Sequence, residues 1–224
     1  MEPVIATVLV VGMIGGVGAW VILDARKRKA ATVALAGPLA ERSWSLATRG
    51  DQVVAGLSSV PFGSGAHRRC EDVIRSSDKS VVSFTYRWTT GSGEHKNNQA
   101  RRVTMLVGSL KLPKLEVEAD TVVSKTRKAA AGGDHDVELA EFTKAWSVRA
   151  TDERVGHAVL HPAMVERFMK PDLMGRSVFF EKGRIGLVDH VVQLDDIVRH
   201  TDAAIATLRE VDALIPDSLR AEFA

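Results

Sequence analysis

The sequence predicts an α+β domain that follows a single N-terminal transmembrane helix. Three observations predict this class: an uncharged apolar run near the N-terminus, alternating apolar and polar residues in the middle of the chain, and a long amphipathic pattern near the C-terminus. We expect an anchor with a basic flank over residues 1–29. A soluble domain, in which an antiparallel sheet packs against helices, should cover residues 30–224. Residues 125–136 are rich in small and polar side chains and predict a loop or a boundary within that domain.

The apolar run at residues 4–23 has no charged side chain. As a helix it would rise about 30 Å, the thickness of the hydrocarbon core of a bilayer. Its glycines also occur in dinucleotide-binding turns, but such a turn continues into an amphipathic helix, whereas residues 19–23 are all apolar. A cleaved signal peptide would begin with a basic region, and this chain begins with Met1, Glu2 and Pro3. A transmembrane helix is favoured over these alternatives, and over a buried core helix, which is usually shorter.

The charges around the apolar run predict its orientation. Only Glu2 precedes it, whereas a basic cluster follows it. Short basic flanks stay in the cytoplasm, so we expect the N-terminus outside the cell membrane and the domain inside. The basic side chains would also meet anionic lipids, each contributing roughly 1 kcal/mol of attraction. The predicted membrane-interface residues are Trp20, Arg26, Lys27, Arg28 and Lys29.

Gly12 and Gly16 form a GxxxG step inside the predicted transmembrane helix. Such pairs of small residues let two helices approach closely, which makes self-association within the membrane one hypothesis. The alternative is that glycine is simply common in transmembrane helices, and the sequence leaves both interpretations open.

The domain after the anchor has a nearly balanced charge. The chain carries 30 Lys and Arg against 28 Asp and Glu, and Glu2 is the only one of these before residue 24. This balance argues against a dedicated nucleic-acid-binding protein, so no nucleic-acid partner is predicted. Cys70 is the only cysteine, so no intrachain disulfide can form, which agrees with a reducing compartment.

The first half of the domain is predicted to begin with helices and continue with strands. Pro38 opens a predicted helix over residues 38–49, and Asp51 caps a short second one. Residues 82–88 alternate between apolar and polar side chains and predict a half-buried strand. Its expected partner is residues 102–112, and residues 115–123 are expected to form a third strand. Three successive strands with short connections predict an antiparallel meander.

The second half is predicted to mix both kinds of element. Residues 141–149 end in an alternating pattern that predicts a strand, and Asp152 is suited to cap the helix that follows. Pro162 opens a further helical turn. Residues 177–180 and 185–192 predict a β-hairpin around Lys182 and Gly183.

The last predicted element is a long amphipathic helix over residues 194–215, ended by Pro216. Its apolar residues recur at helical spacing, with charged side chains on the opposite side. The order of helix, strands, helix, hairpin and helix predicts an α+β domain whose sheet is covered on one side.

Residues 61–90, 110–120 and especially 141–169 resemble an uncharacterised family of bacterial, mostly actinobacterial, single-pass membrane proteins with a domain of unknown function. In that family a strand leads through a turn with aspartate into a helix that ends in a Leu-x-Pro-x-Met step. The resemblance covers most of the soluble part and implies the same arrangement of anchor and domain, but no chemistry. The matching positions here are Phe142, Val148, Asp152, Leu160, Pro162 and Met164.

Histidines four residues apart raise the possibility of a metal site. On one helix, His157 and His161 would present two imidazoles to a metal, but a zincin needs glutamate at the position of Ala158. Pro162 places His161 at a helix boundary, and no third ligand follows at a usual spacing. No metal and no cofactor is therefore predicted.

Two glycine–serine–glycine steps, residues 63–65 and 91–93, do not match a nucleophile elbow or a phosphate loop. Asp134, His135 and Asp136 supply too few oxygen atoms for a calcium loop. No catalytic residue is therefore predicted.

Two small basic clusters remain, residues 67–69 and 101–102. If they face the bilayer, they would hold the domain against anionic lipid; the alternative is an ordinary solvated surface.

The predicted function is a membrane-anchored, non-enzymatic domain that acts through protein or lipid contacts at the cytoplasmic face. Its expected partners are the lipid bilayer, a second copy through the transmembrane helix, and a protein that the sequence does not identify. One alternative is a hydrolase-like enzyme whose residues come from distant loops, which a polar cleft joining histidines and carboxylates would favour. Another is a domain that faces the cell envelope.

Overall fold

A single antiparallel sheet organises the part of the chain that the computed structural model describes, residues 26, 29–108, 110–119 and 137–224. Within these residues the sheet has eight strands, and they lie in the order β1-β2-β3-β4-β8-β7-β5-β6 when numbered along the chain. The strands are β1 (Trp44–Arg49), β2 (Ala66–Ser76), β3 (Val81–Thr90), β4 (Asn97–Val107), β5 (Leu115–Ala119), β6 (Trp146–Ala150), β7 (Ser177–Glu181) and β8 (Arg184–Asp189). The prediction of an α+β class with an antiparallel sheet is confirmed.

Helices connect these strands and pack on one face of the sheet, which we name the helix face. The α-helices among the described residues are α1 (29–41), α2 (Val137–Ala145), α3 (Glu153–Val159), α4 (Pro162–Phe168), α5 (Ile197–Ala213) and α6 (Asp217–Phe223). Short 3-10 segments cover Asp51–Val54, Gly93–His95 and Leu194–Asp196.

The main apolar core lies between the helices and strands β5 to β8. Trp146 and Phe168 pack edge to face with ring centroids 5.3 Å apart. Leu208 and Val211 of α5 are fully buried in the same cluster. Since each buried large apolar side chain contributes roughly 1.5–3 kcal/mol, α5 is fixed firmly against the sheet.

The opposite face is covered by the connection between β1 and β2 instead of by an α-helix. Phe62 is buried there, and its ring packs edge to face on Tyr86 at 5.0 Å and on Phe179 at 5.6 Å. Glu181 fixes the connection, because its carboxylate accepts hydrogen bonds from the amides and hydroxyls of Ser58 and Ser59 at 2.8–3.1 Å. Burial opposes ionisation, but these hydrogen bonds hold the pKa of Glu181 below its usual value.

The predicted helix over residues 38–49 is wrong. The helix α1 ends at residue 41, and Trp44–Arg49 forms the edge strand β1, which pairs with β2. Trp44 and Leu46 are partly buried between exposed neighbours, so this segment alternates with the period of a strand.

The predicted three-strand meander is only partly correct. β3 and β4 pair as expected, but β5 pairs with β7 and β6. The hairpin of β7 and β8 therefore lies between β4 and β5. The turn of that hairpin is the predicted one, with positive φ angles at Lys182 and Gly183.

Several boundaries in the second half agree with the prediction, and some elements were missed. The Asp152 carboxylate caps α3 by accepting from the Val155 amide at 3.2 Å, and Pro162 begins α4. The strand predicted at 141–149 starts only at Trp146, because the residues before it form α2. Strand β2 and helix α6 were not predicted.

The predicted anchor at residues 4–23 and the predicted loop at 125–136 lie outside the described residues. Among the residues that the structure describes, no helix has the length and apolar character required to cross a membrane.

Candidate functional site

A row of polar side chains crosses the helix face beside the N-terminus of α5. The register pairs Arg49 with Glu71, Glu71 with Thr85, Thr85 with Arg102, and Arg102 with Asp189. Residues paired across an antiparallel sheet point to the same face, and adjacent strands lie about 4.8 Å apart. These five residues therefore form one continuous row, which we name the polar row.

One end of the polar row opens into a cleft of about 440 Å³, which we name the basic cleft. Glu71 organises it, since its carboxylate accepts from Arg69 Nε at 2.6 Å and from Arg87 Nε at 2.7 Å. Burial opposes ionisation of Glu71, but these two bonds bring its pKa below the usual value. The cleft is lined by Thr48, Arg49, Arg69, Glu71, Asp72 and Arg87.

Arg102 lies fully buried next to this cleft. Its guanidinium extends across β3 and donates from Nη1 to the carbonyl of Asp72 at 3.0 Å, with the Thr85 hydroxyl at 3.4 Å. Its Nε and Nη2 have no hydrogen-bond partner within the described part of the chain. Burial lowers the pKa of Arg102 to about 9, against the opposing effect of Asp72, so the side chain stays charged at neutral pH.

A bulge in β2 makes the contact with Arg102 possible. The register shifts between Glu71 and Ile74, and Asp72 has a φ of 50°. A bulge of this kind redirects the local backbone, and here the carbonyl of Asp72 points to the Arg102 guanidinium.

At the far end of the polar row, basic side chains pair with the carboxylate of Asp189. Asp189 Oδ2 lies 2.8 Å from His200 Nε2 and 3.1 Å from Arg176 Nε, and its Oδ1 accepts from the His190 amide. Burial opposes ionisation, but the His200 contact and these other donors lower the pKa of Asp189. The hydrogen bonds and ion pairs of this carboxylate are therefore made with these three groups and not with Arg102.

The sheet places the residues of the two predicted basic clusters in different parts of the domain. Arg69 and Arg102 belong to the site, whereas Arg68 donates to the carbonyls of Gly63 and Gly65 in a turn. Arg101 pairs in register with Tyr86 and so belongs to the opposite face. Sequence reasoning missed Arg49 and Arg87, because only strand pairing places them beside Arg69.

The other candidate residues do not gather into a site. His161 Nε2 lies 2.8 Å from the carbonyl of Leu214, and His157 is exposed on α3. Within the described residues, no group of three metal-ligating side chains forms. Asp134, His135 and Asp136 lie outside them.

The predicted membrane-interface residues fall mostly outside the described range. Arg26 and Lys29 are helical and exposed, whereas Trp20, Lys27 and Arg28 are not among the described residues. The predicted helix-packing pair, Gly12 and Gly16, is also outside that range. These assignments stay predictions.

The contacts of α1 with α5 indicate which end of the sheet the N-terminus of α1 approaches. Leu35 and Leu39 are buried in one cluster with Val198, near the N-terminus of α5. Beyond the end of α1, Arg42 Nε lies 2.9 Å from Asp202, one turn further along α5. The two helices therefore run side by side in the same direction.

The N-terminus of α5 lies at the cleft end of the sheet. His200, near the start of α5, contacts Asp189 in the polar row. Arg209, near the end of α5, lines a cavity together with Val81, the first residue of β3, at the end of the sheet away from the basic cleft. Since α1 runs parallel to α5, its N-terminal residue Lys29 points to the end of the sheet that carries the basic cleft.

Comparison with protein-family models gives no match, and neither does comparison with curated proteins. Among solved structures, the chain is similar to the crystal structure of the mycobacterial trehalose monomycolate transport factor A, TtfA. The TM-score is 0.52 at 10% sequence identity, over 80% of this chain and 92% of that one. At this identity the likeness shows a shared fold alone. The resemblance to an actinobacterial family stays a prediction.

Proposed function

We propose that this chain is a membrane-anchored, non-enzymatic domain that acts through protein or lipid contacts at the cytoplasmic face of the cell membrane. The observation that carries the proposal is the basic cleft, whose lining supplies guanidinium donors from Arg49, Arg69 and Arg87 and no histidine. Such a set binds anionic groups. The Glu71 carboxylate in the cleft is held by Arg69 and Arg87, which lower its pKa despite its burial, so it is poorly suited to act as a general base in hydrolysis.

The histidine–carboxylate pair of the polar row gives little support to the hydrolase alternative. His200 and Asp189 are largely buried, and Arg176 shares the carboxylate oxygen that His200 contacts. Within the described residues, His200 Nδ1 is buried without a hydrogen-bond partner, so it activates no hydroxyl or thiol. An activated nucleophile would need such a contact.

Fold similarity adds a second support. The similar solved structure is named a transport factor, and the likeness extends over most of both chains. By analogy of fold, we propose that this domain is an accessory factor in a transport process at the membrane, where it binds and does not catalyse.

Sidedness can be tested with a single introduced cysteine. Val33 of α1 is 68% exposed, so Val33→Cys presents a reactive thiol near the predicted anchor. We expect a membrane-impermeant maleimide to label this variant only after the cells are permeabilised, and the protein to stay in the carbonate-washed membrane fraction.

The unaltered chain is the matched control. Its Cys70 is fully buried, and burial together with Asp51 raises the pKa of the thiol to about 12, so it should not react. Labelling of Val33→Cys in intact cells would contradict the cytoplasmic assignment. Recovery of the full-length chain in the aqueous fraction would contradict the anchor.

A further inference from the structure

The basic cleft carries more hydrogen-bond donors than the protein uses. Glu71 occupies only the Nε atoms of Arg69 and Arg87, so the Nη groups at their tips make no hydrogen bond within the described part of the chain. Arg49 also lines the cleft. Its side chain makes no hydrogen bond or ion pair with the residues that the structure describes. Three guanidinium groups therefore line one cleft together with two carboxylates, Glu71 and Asp72, of which Glu71 bridges Arg69 and Arg87.

Arg102 adds an independent observation. Its unpartnered Nε and Nη2 share one edge of the guanidinium, the edge that binds a carboxylate or a phosphate side-on. The Asp72 charge favours the charged form of Arg102, but among the described residues no carboxylate is in ion-pair contact with its guanidinium. Native proteins normally pair a buried charge directly. Arg102 Nη1 donates to the carbonyl of Asp72, a residue of the cleft lining, so the guanidinium lies next to the basic cleft.

We propose that the basic cleft binds a phosphate group, held by Arg49, Arg69 and Arg87. A phosphate offers three acceptor oxygens and up to two negative charges, which matches several guanidinium forks better than a carboxylate does. The Thr48 hydroxyl at the edge of the cleft supplies a neutral donor to the same group.

The position of the cleft favours a lipid headgroup as the source of this phosphate. The N-terminal end of α1, with exposed Lys29, points to the same end of the sheet. If the chain is anchored as proposed, that end faces anionic headgroups; this part rests on the proposed function. A free phosphate compound would use the same arginines, so the test includes both sources.

The test uses the full-length chain in a non-ionic detergent and isothermal titration calorimetry. The probes are inorganic phosphate and dihexanoyl phosphatidic acid below its micelle concentration, with dihexanoyl phosphatidylcholine as a zwitterionic control. We expect the double variant Arg49→Gln/Arg87→Gln to bind the phosphate probe roughly tenfold more weakly or worse, because charge-assisted hydrogen bonds are lost. Arg49 is exposed and Arg87 is partly exposed, so the fold should persist, which circular dichroism checks.

The matched control is Arg154→Gln/Arg209→Gln, which removes the same charge from exposed sites outside the cleft. It should bind the phosphate probes like the unaltered chain. Binding of phosphatidic acid alone supports a lipid source, and equal binding of inorganic phosphate supports a free phosphate compound. No binding, or equal weakening in both double variants, overturns the proposal. Membrane fractionation does not depend on these arginines, so failure of the anchor would be seen separately.

Discussion

Arg102 in β4 and Arg167 in α4 are both buried in the described part of the chain, but their surroundings differ. Arg167 donates to both carboxylate oxygens of Asp172, at 2.9 and 2.6 Å, and its Nε lies 2.8 Å from Glu210. Its charge is therefore compensated by two carboxylates at the edge of the helical layer. Arg102 has only a carbonyl and a hydroxyl as acceptors, and two of its nitrogens have none among the described residues.

The difference separates a structural ion pair from a candidate binding residue. A buried charge in direct contact with carboxylates keeps the elements around it in register, and removing a partner is costly. A buried charge with incomplete partners is a cost to the folded state, which a ligand can reduce. On this basis Arg167 stabilises the fold, and Arg102 is a candidate binding residue next to the basic cleft.

The largest expected effect comes from breaking the Arg167 network. We expect Asp172→Ala to lower the free energy of unfolding by about 2 kcal/mol, because Arg167 loses a bidentate partner and the Thr207 hydroxyl loses its acceptor. Urea unfolding followed by circular dichroism measures this change.

The matched control for that loss is Glu222→Ala. Glu222 also forms a bidentate pair, with Arg154, but both side chains are exposed, so little change is expected. Equal losses in the two variants would show that burial of Arg167 does not distinguish the pairs.

A smaller effect should appear in the pH dependence of the same network. The hydrogen bond from Arg167 lowers the pKa of Asp172, so this group contributes stability above its unfolded pKa and loses it as pH falls through the folded value. Relative to Asp172→Asn, the unaltered chain should lose stability between about pH 5 and pH 3. The change should stay below about 1 kcal/mol, because the Asp172 side chain is 44% exposed. A constant difference between the two proteins across this range would contradict the assigned pKa shift.

How much the sequence predicts differs between the elements. The alternating side chains around Phe84 and Tyr86, the turn at Lys182 and Gly183, and the cap at Asp152 depend on local spacing, and the structure has all three. The strand β2 was missed because its bulge at Asp72 interrupts the alternation.

The candidate site is even less visible in the sequence. Arg49 lies in a segment predicted to be helical, and Arg87 is the polar member of an alternating strand. Only the pairing of β1, β2 and β3 brings both residues beside Arg69. The buried state of Arg102 depends on the contacts of the whole sheet, which no local pattern encodes.

The smallest change in the free energy of unfolding is expected for a substitution of Arg102, and it gives the sharpest contrast with substitutions in the Arg167 network. Replacing Arg102 by methionine removes an incompletely paired buried charge and keeps most of the side-chain volume, although the Asp72 carbonyl loses a donor. We therefore expect Arg102→Met to change the free energy of unfolding in phosphate-free buffer by less than about 1 kcal/mol, in either direction.

Urea unfolding again provides the measurement, with Arg167→Met as the paired variant. That substitution removes the same charge from a site with two carboxylate partners, so it should lower the free energy of unfolding by about 1–2 kcal/mol. A loss above about 2 kcal/mol in Arg102→Met would mean that ordered water or another group already satisfies its guanidinium. In that case Arg102 would be a structural residue like Arg167, and the phosphate site would depend on Arg49, Arg69 and Arg87 alone.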